Sequence, residues 1–99
     1  MYARVSTYRA TADRAEEAIS AFGSSVDQIR EMQGVQGVYL LVDRESGKAM
    51  TITLWENEEA VRASSEAADR VRAGAAGQFG GSIEDVEVYE VPLHETFGG

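Results

Sequence analysis

Gly34 to Glu56 reads GVQGVYLLVDRESGKAMTITLWE. Two apolar runs rich in Val, Tyr, Ile, Thr, Leu and Trp, Val38–Asp43 and Ala49–Glu56, flank the polar hexad Asp43-Arg44-Glu45-Ser46-Gly47-Lys48. Such residues suit a pleated, half-buried surface. Asp43 and Ser46 favour a turn, and Gly47 supplies the positive φ that a short hairpin loop requires. The stretch therefore predicts a β-hairpin in the middle of the chain.

Working outward, Tyr2–Arg9 alternates loosely and predicts a first strand. Thr11 suits an N-cap, and Asp13 falls in the first turn, where the helix dipole favours an anion. Ala12, Ala15, Ile19, Phe22, Val26, Ile29 and Met32 recur at steps of three and four, the apolar face of one amphipathic helix of about 20 residues. Gly23-Ser24-Ser25 are weak helix formers that bend or fray it, and Gly34 is its expected C′ residue. After the hairpin, Asn57 is an N-cap with Glu58 and Glu59 in the first turn. Ala60, Val61, Ser64, Ala67, Ala68 and Val71 form a small-residue face. Residues 74–81, GAAGQFGG, read as a loop with one more helical turn at most. Ile83–Val91 predicts the last strand, ended by Pro92.

The order β-α-β-β-α-β is the split βαβ, or ferredoxin-like, arrangement. Right-handed crossovers place both helices on one face of a four-stranded antiparallel sheet, an α+β fold. At 99 residues the chain is one domain by length, expected over residues 1–92 with a tail at 93–99.

The hairpin is apolar on both faces. Val38, Leu40 and Val42 alternate with Tyr39 and Leu41; Met50, Ile52 and Leu54 alternate with Thr51, Thr53 and Trp55. A wet sheet face would alternate cleanly with polar residues. Helices cover one face, and the other calls for a cover from outside the chain. A twofold homodimer stacked through its sheets is the simplest cover; a monomer with a mixed, partly wet face is the alternative.

Composition removes several function classes. The formal net charge is −8, which argues against nucleic acid and anionic membrane surfaces as partners. With no cysteine there is no thiolate or disulfide chemistry. His94, the single histidine, sits in the tail, so within one chain a His-based metal site or Ser-His triad has no second histidine to rely on, and a catalytic role for His94 would have to act across a dimer. Residues 74–81 lack the Lys-Ser/Thr of a phosphate loop. No metal or cofactor is expected. The opening residues show no apolar leader core and no run approaches 18 apolar residues, so the expected location is cytoplasmic.

The run Gln28–Ser64, QIREMQGVQGVYLLVDRESGKAMTITLWENEEAVRAS, resembles the antibiotic-biosynthesis-monooxygenase-like domains of the dimeric α/β-barrel superfamily. The resemblance lies in the helix ending at Gly34, Gly37 opening the second strand, and Leu41-Val42-Asp43-Arg44 entering the turn. It continues through Thr53-Leu54-Trp55-Glu56 and Asn57-Glu58-Glu59-Ala60, and through Val86–Val91 as the final strand. It implies a pocket between sheet and helices. It also implies oxidation of a small aromatic or polyketide-type phenol by dioxygen without metal or flavin, the deprotonated substrate reducing oxygen directly. The family's Trp maps onto Trp55, and a polar Asn of the same strand face maps onto Thr51, so that partner is changed here. The haem-degrading branch has a His and an Asn whose places fall near Ser65 and Ser6; its haem ligand is missing.

On that resemblance the catalytic candidates are Trp55, Thr51 and Tyr39, and the substrate contacts Tyr8, Phe22, Val61 and Tyr89. Arg4 and Arg9 could neutralise an enolate. Each has a plainer role: an indole at a strand end fills core volume, strand tyrosines are common, and arginines are mostly solvated or paired. The scarcity of acid–base groups favours a second reading, a non-catalytic dimer that holds an apolar metabolite. A third is an interaction module with no pocket.

Overall fold

The structure is a computed structural model describing residues 1–98; Gly99, the last residue of the expected tail, lies outside the described residues. Four strands, β1 (Tyr2–Arg9), β2 (Val35–Val42), β3 (Lys48–Trp55) and β4 (Ser82–Glu90), form one sheet in the order β2-β3-β1-β4. Every neighbouring pair is antiparallel. Helices α1 (Ala15–Gly23), α2 (Val26–Arg30), α3 (Glu58–Ala63) and α4 (Ser65–Phe79) make the two crossovers, giving the ferredoxin-like α+β arrangement.

The hairpin turn is built as its residues demand. The Gly47 N–H donates to the Asp43 carbonyl at 2.9 Å, and the Asp43 carboxylate accepts from the Glu45 N–H at 3.0 Å. That backbone bond is the main reason the Asp43 carboxyl lies below its usual range. Gly47 has φ +81° and its carbonyl accepts from the Ala10 N–H at 3.2 Å, so the turn also docks against the end of β1.

Two helical expectations need correction. The first helix is not one continuous helix. A 3₁₀ turn at Ala12–Arg14 precedes α1, and a break at Ser24-Ser25 separates α1 from α2. The cause is local: both serine hydroxyls donate back to the Ala21 carbonyl, at 2.9 and 3.1 Å, competing with the helical ladder. Thr11 stands at the N-cap position, but its side chain caps no backbone N–H. The second correction is residues 74–81. They are not a loop, because α4 runs on to Phe79. Gly80, at φ +69°, and a bond from the Gly81 N–H to the Ala76 carbonyl at 2.9 Å close it in a Schellman arrangement. Gly74 and Gly77 cost helix propensity, but Ala75, Ala76 and Phe79 are buried and hold the turn down. Packing overrides propensity here. Asn57 caps α3 as its sequence predicts, accepting from the Ala60 N–H at 2.8 Å.

The core lies between the sheet and the helices. Tyr8, Phe22 and Phe79 meet with ring centroids 4.8, 5.5 and 6.2 Å apart, set among Ala18, Ala21, Ala49, Ala75 and Ala76. These are offset and edge-on aromatic contacts. The alanines let α1 and α4 approach the sheet closely. No helix is long and apolar enough to cross a membrane among the described residues.

Candidate functional site

Strand register decides which side chains share a space. Along β1, Arg4, Ser6 and Tyr8 point to the helix side; opposite them on β3 stand Thr53, Thr51 and Ala49. Trp55 continues the β3 row. All of these except Ala49, with Phe22 from α1, Ile29 from α2, Met32 beyond it, and Ala68, Val71 and Arg72 from α4, line one cavity between sheet and helices. It holds about 410 Å³ of atom-free space counted to its open mouth, of which about 30 Å³ admits the centre of a water molecule. Room of that size takes one or two waters, so a ring must displace side chains to enter. Ile29 and Met32 lie at the segment that the Ser24-Ser25 break detaches from α1.

The polar groups are few and converge. Trp55 is fully buried, and its Nε1–H donates to Thr53 Oγ1 at 2.9 Å, which fixes the indole plane. The Tyr8 hydroxyl lies 3.4 Å from Thr51 Oγ1. Burial pushes the Tyr8 phenol above its ordinary range, so it stays protonated and can donate. Arg4 is 4% exposed. Its Nη2 donates to the Val61 carbonyl at 2.6 Å and to Ser64 Oγ at 3.2 Å, and its guanidinium lies 5.2 Å from the Trp55 ring centroid. That is cation–π range. Arg72 reaches in from α4 and pairs with Asp69.

The structure brings Trp55, Thr51, Tyr8 and Phe22 together and separates the other candidates. Tyr39 is corrected: it faces Ile52 on the opposite side of the sheet from Trp55 and is half exposed. One residue of register sends a side chain to the other face. Tyr89 is corrected likewise, since it pairs with Ala3 on that outer face and its hydroxyl donates to Glu87 at 2.7 Å. Val61 is buried but contributes its carbonyl to Arg4 and no wall to the cavity. Arg9 is exposed and paired with Glu84. Arg72 is the residue that sequence reasoning missed. Its signal is the spacing Ala68, Arg72, Ala75/Ala76, Phe79, which places it on the buried face of α4.

Comparison with known proteins fits this geometry. The family model described as antibiotic biosynthesis monooxygenase matches residues 1–79. The chain belongs to the antibiotic biosynthesis monooxygenase family. Two uncharacterized proteins of Mycobacterium tuberculosis are its relatives, one 43% identical over 65 residues and another 36% identical over 91 residues. Those matches cover 66% and 89% of this chain but only 27% and 41% of the relatives, so this antibiotic biosynthesis monooxygenase domain spans less than half of either. Among solved structures, SnoaB, a cofactor-independent oxygenase from Streptomyces nogalater, superposes with a TM-score of 0.71 at 13% identity, covering 94% of each chain. At that identity the likeness shows the fold.

Proposed function

We propose that the chain is a monooxygenase-like module whose cavity takes a small aromatic or polyketide-type compound and, with dioxygen, oxidises it without metal or flavin. The observation that carries this reading is the convergence of the Tyr8 and Thr51 hydroxyls on a chamber whose remaining walls combine Trp55, Phe22, Ile29, Met32, Ala68 and Val71 with a few fixed polar groups. Apolar walls with a few fixed polar groups are what a small-molecule site needs. Membership of the antibiotic biosynthesis monooxygenase family, and a fold shared with the cofactor-independent oxygenase SnoaB, support this reading.

In this scheme an acidic phenol or anthrone loses a proton and its carbanion reduces dioxygen. For an anthrone-type CH₂, the carbon ends as a carbonyl and the second oxygen atom leaves as water; the substrate supplies all four electrons. The chain orients the ring against Trp55, excludes water, and steadies the developing oxyanion with the Tyr8 hydroxyl. One observation favours a non-catalytic binder: the cavity walls carry no carboxylate, histidine or lysine to act as base. Oxygen-electrode assays with anthrones and dihydroxyarenes, with nothing else added, decide between them. Stoichiometric oxygen uptake is expected; saturable binding with no uptake across the series would leave the binder.

The same reading includes a homodimer. Tyr39 and Leu41 are exposed on the sheet face away from the helices, beside Met50 and Ile52. Covering that patch with a second copy would bury apolar area without disturbing the cavity. Native mass spectrometry should show a dimer, and Leu41→Glu should shift it to monomer.

A further inference from the structure

The central strand carries a charge into the core. Arg4 is in phase with Ser6 and Tyr8, all facing the helices, where a binary pattern would place an apolar residue. One edge of its guanidinium is anchored by the Val61 carbonyl and Ser64, and its plane lies near Trp55. The other nitrogen, Nη1, is buried and has no hydrogen-bond partner. Among the described residues Arg4 makes no ion pair. A guanidinium cannot shed its proton to escape burial, and an unpaired buried donor carries the full cost of its lost hydration. Arg72 lines the same cavity with a side chain only 10% exposed, while its partner Asp69 is 70% exposed and faces solvent. In a chain of net charge −8, this chamber is locally positive.

We propose that the ligand of this cavity is an aromatic acid, its carboxylate accepting from Arg4 Nη1 while its ring lies in the apolar space toward Trp55. The proposal rests on the small-molecule reading above and narrows it to anions. A carboxylate fits better than a phosphate, because a single free nitrogen, Nη1, offers one compact charge-assisted contact rather than the several donors a phosphate takes. The walls around it are apolar, with hydroxyls in place of the several backbone N–H groups that cradle phosphates. Burial and the neighbouring Arg72 charge depress the Arg4 pKa, with Asp69 opposing them only in part, and an added anion acts in the same direction as Asp69.

The test compares 2-naphthoate with 2-naphthamide, the same ring bearing a neutral group of the same shape, by quenching of Trp55, the single tryptophan, and by calorimetry. The naphthoate should bind at least about tenfold tighter, the scale of one charge-assisted hydrogen bond. Arg4→Met should erase that preference while still binding the amide, and Arg72→Met, a second and milder variant, should reduce it. If the amide binds as well as the acid, the anion proposal fails while the small-molecule reading survives. If neither binds, both fail. Should Arg4→Met not fold, the acid-to-amide ratio in the unaltered protein and in Arg72→Met still decides.

Discussion

Replacing Arg4 by methionine should cost at most about 1 kcal/mol of stability and on balance leave the protein as stable as before or stabilise it. The substitution removes two hydrogen bonds, to the Val61 carbonyl and to Ser64 Oγ. Bonds to charged groups are worth roughly 1.5–3 kcal/mol each at best. Neither acceptor is orphaned, however. The Val61 carbonyl still accepts from the hydroxyls of Ser64 and Ser65, at 3.0 and 3.3 Å, so the helix junction keeps its polar satisfaction. Against that loss stands the burial of a guanidinium with no counter-ion, several kcal/mol by the usual reckoning, and one orphaned Nη1. Methionine matches the aliphatic stem and keeps its contact with the Trp55 face. The balance falls between about 1 kcal/mol of loss and about 3 kcal/mol of gain, within the range seen when buried ionic groups give way to apolar ones. Urea unfolding followed by Trp55 fluorescence, with an unchanged m-value, measures it. A loss clearly above about 1 kcal/mol would refute the reasoning, because it would make Arg4 a brace between β1 and α3. Stability retained while anion binding is lost is the mark of a residue kept for its ligand.

Three further outcomes follow from other parts of the molecule. Trp55→Ala should cost about 3–5 kcal/mol, since the indole is fully buried, a large share of a domain's stability that thermal unfolding will register. Gly47→Ala should cost about 3 kcal/mol: φ is +81°, and the new Cβ would lie 2.4 Å from the Ala10 carbonyl oxygen, backbone that cannot step aside. The variant's ligand affinity, measured where it is folded, should be unchanged. Tyr8 sets an alkaline limit. Its phenol is raised above 10.0 in the folded chain by burial, so its contribution to stability is complete below 10.0 and is lost as pH rises through the raised folded value. Tyrosinate absorbance should show a late-titrating component that Tyr8→Phe removes in a Tyr89→Phe background, which takes out the phenol that Glu87 also raises; no late component there would contradict the burial of Tyr8.

Much of this was legible in the sequence because period-two and period-3.6 patterns report which face is buried. The hairpin, its glycine turn, the Asn57 cap and the order of strands and helices along the chain all follow from local chemistry. The place of the Ser24-Ser25 break was legible as a run of weak helix formers but its completeness was not, and the full length of α4 was not legible at all, because local preference and packing compete at both. Serine hydroxyls won the first, and buried Ala75, Ala76 and Phe79 won the second. The candidate site was legible where resemblance and parity agreed, at Trp55 and Thr51. It was misplaced at Tyr39 because the phase of the hairpin relative to Trp55 is set by pairing across strands. Arg72 escaped notice because a charged residue near a helix's wet face reads as solvated.

The helix layer divides its work along the sheet. At one end, Tyr8, Phe22 and Phe79 with the alanines of α1 and α4 form a closely packed cluster whose substitution should be felt mainly as stability. At the other, the α1–α2 break and the Ser64 junction between α3 and α4 leave short helical pieces over Arg4, Trp55 and Thr53. Short pieces carry less buried area each, and local openings draw on such regions first. Tyr8 belongs to both ends: its ring is part of the aromatic cluster, and its hydroxyl faces Thr51 in the cavity. A ligand that seats against Thr51 and Arg4 therefore meets a rigid floor, β1 and β3, beneath a roof that can move. The wall that must yield is Ile29 and Met32 rather than Phe22, which the cluster pins. Shortening Met32 to alanine should then speed ligand entry with little loss of stability, whereas Phe22→Ala should open the same cavity only at the cost of the core.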